Sequence, residues 1–276
     1  METAVAKEIG GRREQQDAVG VWASPDARCA LLVVADGMGG HADGAQAARM
    51  AIATAERLWN DCDGRPEDPA ALLERLFHET QAALYNPEAA PGEQPGTTLV
   101  ALYVGPERAW WAHCGDSRLY HFEGERLITR TRDHTRVQAL VDAGEIGEED
   151  MATHPEQNQL LQALGVVDPV RVDHGETPLT PDSRFLLCSD GYWEQLGPDE
   201  SARWMRQPDL RAACTQAAGH AAQRGGAHGD NVAIAVWRAH RGTTPERHHL
   251  RAAIRPALLA GLLLLAVLTI LLWPLD

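Results

Sequence analysis

The sequence predicts an α+β fold of antiparallel sheets with helices packed on them, followed by one C-terminal transmembrane helix. Strand-like and helix-like runs do not alternate. They come as strands, two long helices, four strands, helices, then strands again. A doubly wound parallel sheet needs β-α-β-α order, so that class is disfavoured. Short turn signals such as Gly105-Pro106 and Glu123-Gly124 separate several strand-like runs and suit antiparallel hairpins. Residues 257–273, ALLAGLLLLAVLTILLW, carry no charge, and only Gly261 and Thr269 fall outside the strongly apolar set.

In chain order, strands are expected over residues 3–9, 18–22, 29–35, 98–104, 109–113, 119–122, 126–129, 171–176, 184–188 and 232–237. Helices are expected over 44–61, 69–84, 134–143, 156–164 and 210–224. Asp133 and Asp209 are placed to cap the third and the last of these. The Pro-rich stretch 86–95 reads as a surface loop. The chain of 276 residues is long enough for one large domain or two small ones. Its 44% hydrophobic and 23% charged residues are ordinary for a folded protein.

The apolar run 257–273 spans about 25 Å as a helix, slightly short of a ~30 Å hydrocarbon core. Local bilayer thinning accommodates such a span. The alternative is a buried core helix, but soluble helices rarely lack a polar face. Arg241, Arg247, Arg251 and Arg255, with His248 and His249, precede the run, and only Pro274, Leu275 and Asp276 follow. Positive flanks stay in the cytoplasm. The domain reading is therefore an N-terminal domain over 1–238, a basic juxtamembrane linker over 239–255, a transmembrane helix over 256–274 and an extracytoplasmic end at 275–276. The expected location is the cytoplasmic (inner) membrane, single-pass, with the N-terminal domain in the cytoplasm. Five cysteines, odd in number and without CxxC spacing, read as small buried hydrophobes in a reducing compartment.

The formal charge of −14 divides unevenly: the stretch from Arg238 onward carries +3, which leaves −17 on the first 237 residues. Nucleic-acid binders need cations to displace condensed counterions, so that class is excluded. Most of the acids belong to a solvated surface. Five do not fit that reading. Asp36 ends the apolar run LLVVA and precedes Gly37. Asp190 ends RFLLCS and precedes Gly191. Asp230 follows Gly229 before VAIAVW. Asp116 lies between two strands, and Asp17 precedes AVGVW. Turns favour Asp and Gly, so one such site means little. Five at strand ends converge if the strands share a sandwich. Carboxylates brought together repel, and hard divalent cations with oxygen ligands resolve that. The runs gather no set of sulfur and imidazole ligands, which disfavours zinc and favours a polynuclear Mg²⁺ or Mn²⁺ site.

The runs RREQQDA (12–18), VVADGMGGHADGAQAA (33–48), GTTLVALYV (96–104), HCGDSRLYHF (113–122), TRDHTRVQALVDAGEI (131–146), HPEQNQLLQALG (154–165), FLLCSDGYWEQL (185–196) and GDNVAIAVW (229–237) resemble, in order, the metal-dependent type 2C protein serine/threonine phosphatases, the bacterial branch above all. The resemblance covers residues 1–238. It implies a four-layer α-β-β-α sandwich, two antiparallel sheets flanked by helices. It implies hydrolysis of phosphoserine and phosphothreonine by direct attack of a metal-bridging hydroxide, with two to three divalent cations, Mn²⁺ or Mg²⁺. By this match Asp36 bridges two metals and the Gly37 carbonyl is a ligand. Asp17, Asp190 and Asp230 are further ligands, and Asp116 with Asp190 resembles a third metal site. Arg12 matches the arginine that binds substrate phosphate. The implied partners are phosphoserine and phosphothreonine proteins, a bacterial Ser/Thr kinase and its substrates among them.

The sequence departs from the family at two places. Gln15 replaces the usual Asn of the first motif. Met38 stands where many eukaryotic members have a His proposed as general acid, and His41 nearby reads equally well as a loop histidine. Residues 134–158 match a region that includes a mobile flap, and His154, Pro155 and Asn158 read as structural there. A second reading keeps the site but not the turnover: a membrane-anchored pseudophosphatase that binds phosphoproteins as a sensor. All five acids and Arg12 are present, against that reading. An aspartyl-nucleophile phosphatase needs a second Asp two residues on, but Met38 and Tyr192 stand there.

Overall fold

In a computed structural model the described residues are 1–39, 42–89 and 94–239. Residues 240–276 lie outside them, so the expected transmembrane helix and all of the expected linker but Ala239 do too, as does His41. Among the described residues no helix is long and apolar enough to cross a membrane.

The chain begins with β1 (Glu2–Glu8), β2 (Asp17–Ala23) and β3 (Ala30–Met38). Two long helices follow, α1 (Ala42–Asp61) and α2 (Pro69–Leu84). Then come β4 (Gly96–Thr97), β5 (Leu99–Val104), β6 (Arg108–Cys114), β7 (Arg118–Glu123) and β8 (Arg126–Arg130). After α3 (Arg136–Asp142) and a 3-10 turn (Glu148–Thr153) come β9 (Asp173–Pro178) and β10 (Ser183–Cys188). The single turn α4 (Asp190–Trp193), then α5 (Pro198–Met205), α6 (Leu210–Gly225) and β11 (Val232–Arg238) complete the described chain.

One sheet has the order β1-β11-β10-β7-β8, the other β2-β3-β5-β6-β9 with β4 on β3. The strand pairs are antiparallel. Three apolar cores show how the layers stack. Ala30, Leu32, Val34, Val100 and Leu102 of one sheet meet Phe185, Leu187, Ala233 and Ala235 of the other. Leu31, Val33, Leu99 and Ala101 point the opposite way, into α1 and α2 through Ala51, Leu58, Leu73 and Phe77. Leu186, Ile234 and Val236 pack on α5 and α6 through Ala202, Leu210 and Ala217. The layers are thus helix, sheet, sheet, helix. Antiparallel strands usually alternate apolar and polar because one face meets water. Here both faces are covered, which is why ALLVVA and FLLC read as unbroken apolar runs.

Two local expectations are corrected. Residues 156–164 form no helix. Leu160 bridges to Thr135 and Leu164 to Thr97, so tertiary pairing takes the backbone groups a helix would use. Asp133 caps nothing; Thr135 is the N-cap of α3, accepting from the Gln138 N–H. Asp209 does cap α6, accepting from the Ala212 N–H. All five cysteines are free, four of them buried.

Candidate active site

The two sheets deliver acids to the same edge. Asp17 opens β2 and stands directly opposite Asp36 on β3. Asp190 follows β10, and Asp230 precedes β11, the neighbouring strand. Asp116 lies in the crossover from β6 to β7, where the chain passes from one sheet to the other. A cleft of about 350 Å³ opens there, and Arg12, Asp36, Gly37, Asp116, Asp190 and Asp230 line it. Asp17 is not on its wall; it is buried beside the cluster. A cleft of about 380 Å³ elsewhere is lined by residues such as Met1, Arg28, Pro106 and Trp237 and gathers no acid, imidazole or thiol.

The Asp-Gly pairs have a steric cause. A Cβ on Gly37 would stand 2.0 Å from the Gly44 carbonyl oxygen, and one on Gly191 would stand 2.2 Å from that of Asn231. No side chain fits between backbones so close. Asp36 is gripped on both sides. Its N–H donates to Thr98 Oγ1 at 3.2 Å, and Thr97 Oγ1 donates to its carbonyl at 2.9 Å. Ser189 Oγ donates to Asp17 Oδ2 at 2.6 Å and accepts from the Ala233 N–H at 2.9 Å, joining the two sheets beneath the acids.

Burial and mutual repulsion both disfavour charge on these acids. Burial is the larger cause at Asp17, whose carboxyl is pushed up to about 8 against the pull of Ser189, with Asp190 and Asp230 adding to the rise. Burial, then the charges of Asp17 and Asp190, hold Asp36 well above the usual carboxylate range. Asp116 is raised likewise by burial and by Asp190. Asp190 is pushed up to about 6 by burial and Asp230. One oxygen of Asp190, Oδ1, is buried with no hydrogen-bond partner. Such an orphaned acceptor among raised carboxylates fits a cation, since oxygen ligands and hard divalent ions match.

Arg12 closes the rim. It is largely exposed and ion-paired with Asp230. The loop that carries it is tied down by Asn231, which sequence reasoning passed over. Asn231 Nδ2 donates to the carbonyls of Ile9 at 2.9 Å and Glu14 at 3.0 Å, and its Oδ1 accepts from the Gln16 N–H at 2.7 Å. Asn158 is also reassigned: it lines the cleft with Leu160 rather than serving only to end a loop.

A second group, His113, His134 and Asp173, brings ligand-type atoms within 4.8 Å of one another. His113 donates from Nε2 to the Arg132 carbonyl at 2.8 Å, and His134 Nδ1 accepts from the Gly115 N–H at 3.3 Å. In neutral His134 that bond leaves the proton on Nε2, which faces Asp173, so this lone pair is not offered to a metal. Burial pulls both histidines below their ordinary range.

Residues 9–225 match the family model described as protein phosphatase 2C. The chain belongs to the protein phosphatase 2C family. It is accordingly a metal-dependent protein phosphatase, a hydrolase. Serine/threonine phosphatase stp of Listeria monocytogenes is 35% identical over 184 residues, 65% of this chain and 73% of that protein. Protein phosphatase PhpP of Streptococcus pneumoniae is 33% identical over 205 residues, 72% of this chain and 82% of its own. The catalytic domain of the serine/threonine phosphatase PstP, solved with two manganese ions, superposes with a TM-score of 0.72 at 30% identity, covering 85% of this chain and 96% of that one. The fold implied by the sequence resemblance, two antiparallel sheets between helices, is the one found in this phosphatase 2C chain.

Proposed function

We propose that this chain removes phosphate from phosphoserine and phosphothreonine in proteins, at the acidic cleft. The observation that carries this reading is the cluster of raised, buried carboxylates with an orphaned Asp190 oxygen, rimmed by Arg12. Asp17, Asp36, Asp116, Asp190 and Asp230, with the Gly37 carbonyl, would hold two to three Mn²⁺ or Mg²⁺ ions. When bound, such ions neutralise phosphate charge and acidify bound water.

The chain's own groups supply the rest. The Arg12 guanidinium receives two phosphate oxygens in a planar fork, a geometry Lys lacks. Its pairing with Asp230 already holds it over the cluster. The hydroxyl of Thr98 in the cleft wall is engaged with Asp36 and Ser117, and no cysteine lines the cleft. The carboxylates there would be taken up as ion ligands, so among the described residues no side chain is presented as a nucleophile, and water attacks phosphorus directly. The water oxygen bonds to phosphorus as the P–O ester bond breaks, and a proton of that water ends on the leaving alcohol, so inorganic phosphate and the free hydroxyl are the products.

We further propose that residues 256–274 anchor the enzyme in the cytoplasmic membrane with residues 1–238 in the cytoplasm. The uncharged run 257–273 and the arginines before it support this. A tether raises effective concentration near membrane-bound partners, a Ser/Thr kinase and its substrates being the expected ones. Two experiments test the proposals. The full-length chain with Mn²⁺ should release phosphate from a phosphothreonine peptide, and a chelator or Asp36→Asn should stop it, by on the order of 10³-fold for the substitution. Turnover that survives both would sink the reading. The full-length protein should also resist carbonate extraction from membranes; release would remove the anchor.

A further inference from the structure

Asp116 differs from the other acids in how it is held. It lies on no strand, so no ladder fixes it. Its carbonyl instead accepts a hydrogen bond from Trp193 Nε1 at 3.0 Å. Below that bond the centre of the Arg118 guanidinium lies 3.4 Å from the Trp193 ring centroid. Arg118 is buried and is itself fixed. Its Nε donates to Asp133 Oδ1 at 2.9 Å, its Nη2 to Asp133 Oδ2 at 2.5 Å, and its Nη1 to the Tyr120 hydroxyl at 3.2 Å. Trp193 ends the one-turn α4 that Asp190 begins. That single turn therefore carries one acid of the cleft at its start and grips the backbone of another at its end.

A side chain that merely filled space beneath α4 needs neither an N–H aimed at a carbonyl nor a flat face on a guanidinium. We propose that Trp193 is a positioning residue of the metal centre: its indole N–H on the Asp116 carbonyl and its ring on Arg118 hold the Asp116 carboxyl in register with Asp190. The proposal rests on the reading of these acids as a cation site. Trp193 touches neither ion nor substrate; it acts through Asp116. The Arg118–Asp133 pair is the fixed floor on which the indole lies, so the chain runs from a buried ion pair through an aromatic face to a ligand.

The test is Mn²⁺ titration calorimetry on the full-length chain and on Trp193→Phe, Asp116→Asn and the double variant, with thermal melting of each. Phe keeps an aromatic ring beside Arg118 but loses the donor and one ring of the indole. Wild type should show a binding step that depends on Asp116. Trp193→Phe should weaken that step by about tenfold, the usual effect of removing a hydrogen-bond partner behind a metal ligand. It should leave the binding retained by Asp116→Asn unchanged, and add nothing in the double variant. An unchanged Asp116-dependent step, or equal weakening of all steps, overturns the proposal. Wild type that binds no Mn²⁺ in an Asp36-dependent way overturns the cation-site reading itself, a separate result. If Trp193→Phe does not fold, the indole N–H resonances of wild type are followed during Mg²⁺ titration. One should shift in wild type and stay still in Asp116→Asn; if none behaves so, the proposal falls.

Discussion

The floor of the cleft and its rim are built by different means. Asp17 and Asp36 face each other across the β2–β3 ladder, on strands whose apolar faces fill two cores. The ladder places their strands, and the hydroxyls of Thr97, Thr98 and Ser189 add hydrogen bonds to the two acids. Arg12 and Asp116 sit on loops, and each loop is held by side chains from elsewhere: Asn231 for the first, Trp193 with Arg118 and Asp133 for the second. The sheets place charge where water is scarce, and side-chain clamps finish the geometry. Rim function should therefore be fragile to substitutions that touch neither phosphate nor metal, while the floor should tolerate loss of a supporting hydrogen bond.

Substitutions at three positions sharpen that contrast. Arg12→Ala has the largest expected effect of the three, a loss of about 10–100-fold in kcat/KM on a phosphothreonine peptide from its charge-assisted bonds. Arg12→Lys should recover part of it, because a point charge replaces the fork. Asn231→Ala comes next. It removes three hydrogen bonds from the Arg12 loop, and should cost about tenfold in kcat/KM, read mainly in KM, with a lower melting temperature. Ser189→Ala is the smallest. Asp17 loses one hydrogen bond, yet the ladder still holds it. Steady-state kinetics at saturating Mn²⁺ should show a change of about twofold to fivefold. A Ser189→Ala loss larger than that of Asn231→Ala would reverse the contrast between floor and rim.

The same contrast explains what could be read in the sequence. Acids at the ends of apolar runs were legible because the strand ends mark themselves, and Gly37 and Gly191 mark the close backbone approach beside them. The layered fold was legible from the order of runs, and more fully from the resemblance. The clamps were not. Asp133 looked like a helix cap because it lies just before a helical pattern; it pairs instead with Arg118, 15 residues away. Asn231 acts on carbonyls more than 210 residues distant, and nothing in its neighbours signals that. Leu160, Leu161 and Leu164 have helical spacing, but two of them bridge to Thr135 and Thr97 instead. Helix α5 falls where the run pattern predicts no element, although Pro198, Asp199 and Glu200 suit a first turn. Local signals were thus enough for the floor, and long-range partners decided the rim.

The carboxylates also set a pH dependence. A group whose folded pKa is raised stabilises the fold below its unfolded value and loses that contribution as pH rises through the folded value. Asp190, pushed up to about 6, and Asp17, pushed up to about 8, should therefore make the cation-free protein progressively less stable as pH rises from about 4 to 8. Cations bind the deprotonated acids, so the gain in melting temperature on adding Mn²⁺ should grow over the same range.

Proton release on Mn²⁺ binding tests the central claim most directly, that these buried acids are a cation site. Calorimetry at pH 7 in buffers of different ionisation enthalpy measures it. Burial favours the protonated form of Asp17, whose carboxyl is pushed up to about 8, so net proton release is predicted as the ion enters, and Asp36→Asn should diminish it together with affinity. Binding of Mn²⁺ with no proton release, unchanged in Asp36→Asn, would contradict the account.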